Sequence, residues 1–160
     1  MSIEFSVAAK DRLKRLLEQY PTPRNGLLPA LQLAQEEFGC ISPEVEDYVS
    51  GLLQIPAAAI RELVSFYTLL HKEPPGKHVL HLCRNLPCHL RGGREIQAYV
   101  ERKLGIEAEG TTPDGRLTLL QSECLGACED APMMMLDGKY YGPLTPEYVD
   151  RILDPILSGG

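Results

Sequence analysis

Two close pairs of cysteines, Cys83-Arg-Asn-Leu-Pro-Cys88 and Cys124-Leu-Gly-Ala-Cys128, constrain this chain more than any other feature. Each pair follows an apolar run that reads as a strand: His78 to Leu82 before the first, Leu117 to Leu120 before the second. Strand ends set the loops that follow them side by side at one edge of a sheet, so the four sulfurs can converge there. Scattered structural thiols would not fall as two pairs at matching strand ends. The spacings are C-x4-C and C-x3-C, and a two-iron cluster needs two thiolates on each iron. Structural zinc sites also use cysteine pairs two to four residues apart, so the spacing leaves iron–sulfur and zinc both open. Neither pair is the C-x-x-C of a dithiol oxidoreductase. Pro87 stiffens the first loop, and Gly126 lets backbone N–H groups approach the sulfurs, where hydrogen bonds help set a potential.

Composition narrows the partners. The net charge of −6 is spread evenly, with ten acids and seven bases in residues 1–75 and twelve and nine in 76–160. Nucleic-acid binders show a basic face instead. No apolar stretch approaches the ~18 residues of a membrane span, and Glu4 and Lys10 bracket a run too short for a secretory signal. An intracellular location and no direct membrane insertion are therefore expected. In a reducing compartment five cysteines point to metal or redox chemistry rather than to a disulfide framework.

Residues 1–71 read as a small helical bundle. Leu13, Leu16, Leu17 and Tyr20 follow helical spacing up to Pro21; Leu27, Leu31, Ala34 and Phe38 mark a second face closed by Gly39. Ser42-Pro43 opens a third helix with Val45, Tyr48, Val49 and Leu52 inward. Pro56 opens a fourth, with Ile60, Leu63, Val64 and Tyr67 buried. After the proline- and glycine-rich Lys72–Lys77 link, residues 72–160 read β-α-β-β-β-α: His78–Leu82, helix Gly92–Leu104, Leu117–Gln121, then Met133–Leu136 and Lys139–Tyr141 about the hairpin turn Asp137-Gly138. Thr145-Pro146 caps a last helix carrying Val149, Ile152, Leu153 and Ile156. The expected class is α+β: a helical bundle followed by a thioredoxin-like α/β sandwich whose mixed sheet carries the cysteines.

The strings Cys83-x4-Cys88-His-Leu-Arg-Gly-Gly and Glu-Cys124-Leu-Gly-Ala-Cys128-x2-Ala-Pro132 resemble those of the thioredoxin-like [2Fe–2S] subunit of respiratory NADH:quinone oxidoreductase, complex I. Thr112-Pro-Asp-Gly115, Tyr140-Tyr-Gly-Pro-Leu-Thr145 and Val64-Ser-Phe-Tyr67 extend the resemblance to nearly the whole chain. The resemblance implies one [2Fe–2S] cluster on Cys83, Cys88, Cys124 and Cys128, which also form the metal-ligand set, and electron transfer from reduced flavin. It implies partners too: a subunit that binds FMN and NADH, and the large iron–sulfur subunit, at the cytoplasmic face of the inner membrane. No GxGxxG or P-loop is present, so no catalytic residue is assigned to this chain. Similar subunits serve NAD-linked hydrogenases and formate dehydrogenases, and a zinc-stabilised adaptor without redox function is the rival of another class.

Other residues get plainer expectations. His89 is a surface or cap histidine, since four cysteines complete the set; His81 is a satisfied core or interface histidine. Cys40 stands alone and reads as a small buried apolar residue. Met133–Met135 reads as a strand covered on both faces. Arg84, Arg91 and Arg94 flank the first loop while Glu123, Glu129 and Asp130 flank the second. The arginines would either face the cluster or be solvated charges at a helix start.

Overall fold

The computed structural model describes residues 3–159; Met1, Ser2 and Gly160 of the sequence lie outside them. The chain divides into two compact units, Met1–Pro74 and Pro75–Gly160. The break falls three residues beyond the expected one. Up to His71 the chain is tied to the helices: the His71 N–H donates to Gln35 Oε1 at 2.6 Å and its carbonyl accepts from Ile41 N–H at 2.7 Å.

The helical unit holds α1 (Val7–Leu17), α2 (Leu27–Phe38), α3 (Pro43–Leu53) and α4 (Ala57–Phe66). Ser6 and Ser42 cap α1 and α3 by accepting from the N–H of Ala9 and Val45, which satisfies donors the helix cannot use itself. Leu27, Leu31, Ala34, Val45, Val49, Ile60 and Val64 are fully buried together. A ring cluster closes one side, with Phe5 stacked on Phe38 at 5.2 Å and Tyr48 edge-on to both. Three expectations are corrected. Tyr20 lies beyond the end of α1 and is exposed, and Tyr67 caps α4 rather than burying. In α3 the stripe runs Val45, Val49, Leu53, so Leu53 is buried and Leu52, a hundred degrees round the helix, faces solvent.

The second unit is a five-stranded sheet in the order β2-β3-β1-β4-β5: β1 (His78–Cys83), β2 (Gly110–Thr111), β3 (Leu117–Ser122), β4 (Met134–Leu136), β5 (Lys139–Tyr141). Three helices join it: α5 (Leu86–Leu90), α6 (Gly93–Leu104) and α7 (Pro146–Leu157). Leu80, Leu82, Leu117, Leu119 and Met134 pack with Ile96 and Val100 of α6 and with Val149 and Leu153 of α7 in one core. Asp137 and Gly138 both take positive φ, as a two-residue hairpin turn that matches strand twist requires. The fold is α+β with a mixed sheet. It contains a fifth strand and a helix, β2 and α5, that no periodicity announces, because two and five residues are too short to show one.

Strand direction is what positions the site. β1 and β3 are parallel, with Cys83 opposite Ser122, so the loops that follow them leave from the same end. β4 runs antiparallel to β1, with Leu82 opposite Met134, so the segment entering β4 arrives at that end as well.

Candidate metal centre

All four paired cysteines are gathered at this end. Cys83 is the last residue of β1 and Cys88 lies within α5; both are buried, at 8% and 1% exposure. Cys124 and Cys128 occupy the loop after β3, Cys128 opening a 3-10 turn to Asp130, and both are exposed. The thiols interact pairwise: Cys88 with Cys83, and Cys128 with Cys124. Cys128 also feels Cys83 electrostatically, so the two pairs face each other. Among the described residues no three His, Cys, Asp or Glu side chains converge as ligands of a single ion. Two facing pairs are the layout that a two-iron cluster asks of its thiolates.

Burial, with the neighbouring Cys83 second, pushes the Cys88 thiol up to about 11; the exposed Cys128 is raised as well, by local desolvation in its loop and then by the neighbouring Cys124. Both are thiols at neutral pH until metal displaces the proton. At Cys88 a backbone donor opposes that rise. Met133 N–H points at the Cys88 sulfur, and Gly126 N–H donates to Cys124 Sγ at 3.3 Å. Such bonds spread the negative charge that a thiolate set carries. Behind Cys83 and Cys88 stand Ala131 and Met133, with Leu125 and Ala127 packed against them, an apolar wall. The chemistry of the set fits a [2Fe–2S] cluster.

Two glycines hold the loops in place, and nothing local in the sequence marks their role. A Cβ on Gly93 would sit 2.7 Å from the Cys88 carbonyl oxygen, and one on Gly142 would collide with that of Asp130. Both obstacles are backbone and cannot swing aside, so each cysteine loop is seated on a position where only hydrogen fits. Ala131-Pro132 and Gly142-Pro143 are both cis peptides, and Leu144 N–H donates to Pro132 carbonyl at 2.8 Å, binding the two segments together.

The remaining candidates separate cleanly. His81 is 3% exposed with Nδ1 3.0 Å from Ser122 Oγ, a satisfied core histidine. His89 is half-buried on α5, and Cys40 is buried in the helical unit. Met134 and Leu136 bury one face of the strand while Met135 on the other is only half-buried, which corrects the expectation of a strand fully covered on both faces. The arginines and acids do not occupy opposite sides. Arg84 pairs with Glu123 across the two loops, because the β1–β3 register brings them together. Its guanidinium holds the Glu123 carboxyl below the usual carboxylate range. Arg91 and Arg94 are exposed at the end of α5 and the start of α6.

A family model described as thioredoxin-like [2Fe–2S] ferredoxin matches residues 13–157. The chain belongs to this family. Among its relatives, the second E-type subunit of the NADH-quinone oxidoreductase of Rhizobium meliloti (strain 1021) is 39% identical over 145 residues, covering 91% of this chain and 86% of the relative. The E-type subunit of the Escherichia coli (strain K12) NADH-quinone oxidoreductase is 34% identical over 153 residues, 96% of this chain and 92% of its own. A solved NAD+-reducing [NiFe]-hydrogenase, in its H2-reduced state, superposes on 84% of this ferredoxin with a TM-score of 0.73 at 22% identity. The match takes up 23% of that longer chain, and at this identity it is a likeness of fold. Among the described residues no helix is long and apolar enough to cross a membrane.

Proposed function

We propose that Cys83, Cys88, Cys124 and Cys128 hold one [2Fe–2S] cluster, and that this ferredoxin is the electron-transfer subunit of an NADH:quinone oxidoreductase. The observation that carries the reading is the pair of thiol pairs facing each other at the ends of parallel strands. Its support is kinship over nearly full length with the E-type subunits of that enzyme. When bound, the cluster takes up and returns one electron at a time. The chain's own work is placement. Cys83 and Cys88 anchor the group against the wall of Ala131 and Met133, while the exposed Cys124 and Cys128 side faces outward for electron exchange.

FMN and NADH belong to a partner subunit, since this chain carries no phosphate-cradling motif. The large iron–sulfur subunit is the second partner, and the whole sits peripherally on the cytoplasmic face of the inner membrane. Exposed apolar side chains supply docking surface on each unit: Phe66, Tyr67 and Leu69 on the helical one, and Leu86 and Leu90 on α5 flanking Cys88. Exposed apolar surface is what subunits bury on docking. The equivalent role in an NAD-linked hydrogenase is the second reading, supported by the hydrogenase's shared fold.

Affinity-tagged full-length chain, recovered under anaerobic conditions from its own cells, separates these. Co-purification with an FMN-containing NADH dehydrogenase and quinone-reductase subunits, and reduction of the cluster by NADH, is the expected result. Recovery with hydrogenase subunits would move the assignment to the second reading. A cluster that never responds to NADH in the isolated assembly would remove both.

A further inference from the structure

Arg84 directly follows Cys83, and Glu123 directly precedes Cys124, so each belongs to a different cysteine loop. The register Cys83 to Ser122 sets them side by side, one residue past the paired ends of β1 and β3. Arg84 N–H continues the ladder by donating to the Ser122 carbonyl at 3.0 Å. Its guanidinium then pairs with the Glu123 carboxylate and reaches Gln121 Oε1 at 3.5 Å. Gln121 is itself held by Glu109, whose Oε1 accepts from the Gln121 N–H at 3.0 Å. Arg84, Gln121 and Glu123 line a cleft of about 350 Å³ that has Cys83 in its wall.

We propose that Arg84 and Glu123 are positioning residues, a charge-neutral clasp that ties the two cysteine loops together beside the cluster and cancels the field that either residue would impose alone. The inference rests on the cluster reading above and assigns these two residues a part in it. Their exposure, 53% and 76% of the side chains, means that the pair adds little to the stability of the whole fold. Its leverage is local. The loops carry opposite halves of the ligand set, and a tie between them opposes the first separation that frees the cluster. The field follows from the same geometry. A lone guanidinium favours the added electron and a lone carboxylate opposes it, whereas a close pair presents nearly neither.

The test uses the full-length holo-protein in four forms: native, Arg84→Glu, Glu123→Arg, and the swapped double variant. Two readouts are taken at low ionic strength: the rate of cluster loss to an iron chelator, and the midpoint potential from EPR-monitored titration. Each single variant sets like charges against each other and should lose its cluster about two- to fivefold faster, as a surface ion pair allows. The swap, which restores the pair in reverse, should return the rate close to native. Potentials should move down in Arg84→Glu, up in Glu123→Arg, and back toward native in the swap. Singles that match the native rate, or a swap no slower than the worse single, overturn the clasp. So do potentials that shift in one direction in both singles, which mark loop damage rather than charge. Absence of a [2Fe–2S] signal from the native protein would instead remove the cluster reading itself, and is told apart because it precedes any variant.

Discussion

The two cysteine loops do the same job with opposite physics. The first is built inward: Cys83 and Cys88 are buried, α5 is folded around Cys88, and Gly93 lets α6 start against the Cys88 carbonyl. The second is built outward: Cys124 and Cys128 are exposed, and the order comes from a short 3-10 turn, the Gly126 N–H bond and the seat of Asp130 on Gly142. One half is therefore fixed by packing and the other by backbone geometry. A site made this way is shielded behind and open in front, which suits a group that must be retained yet exchange electrons.

Replacing one proposed ligand in each loop probes that contrast with the largest expected effect. Cys88→Ser leaves a buried hydroxyl where no solvent ligand can enter, and the purified protein should carry almost no cluster. Cys124→Ser sits at an exposed position where oxygen ligation is accessible, and a fraction of cluster with altered absorption should survive. Equal retention in both, read from iron content and visible spectra, would break the distinction.

Smaller effects follow from the glycines. Gly93→Ala drives a Cβ into the Cys88 carbonyl, an overpacking that costs about 1–3 kcal/mol, and should both destabilise the fold and speed cluster loss. Gly126 has open space around its Cβ position, so Gly126→Ala meets only the cost of its left-handed φ of 76°, about 1–2 kcal/mol. Chemical denaturation should rank Gly93→Ala the worse of the two.

Thiol reactivity supplies the smallest and most local comparison. In the apo-protein, Cys88 raised to about 11 leaves about 0.1% thiolate at pH 8. Since thiolate grows as pH rises, alkylation at Cys88 should climb steadily up to pH 11. Exposed Cys124 should label first at pH ~8, as peptide mapping would record. Cys88 labelling as early as Cys124 would show that the first loop is not closed.

How much of this the sequence discloses depends on the range of the cause. The cysteine spacing, the caps at Ser42 and Thr145 and the Asp137-Gly138 turn are local, and the structure forms each where the residues indicate. Helical faces are legible to within a residue, and that residue decides between Leu52 and Leu53. The partnership of Arg84 with Glu123 is of another kind. It requires the strand register, which no window of sequence contains, and read locally the two charges fall on separate loops. Gly93 and Gly142 are hidden for the same reason, because what they make room for lies elsewhere in the chain or behind a fold of the backbone.

Whether the four paired cysteines hold a two-iron cluster decides everything else about this chain. Iron, acid-labile sulfide and zinc measured on anaerobically purified full-length protein, with EPR after dithionite reduction, test it most directly. The expected result is two irons and two sulfides per chain and a reduced-state signal. One zinc without sulfide would contradict the cluster and leave a metal-stapled adaptor with no redox role.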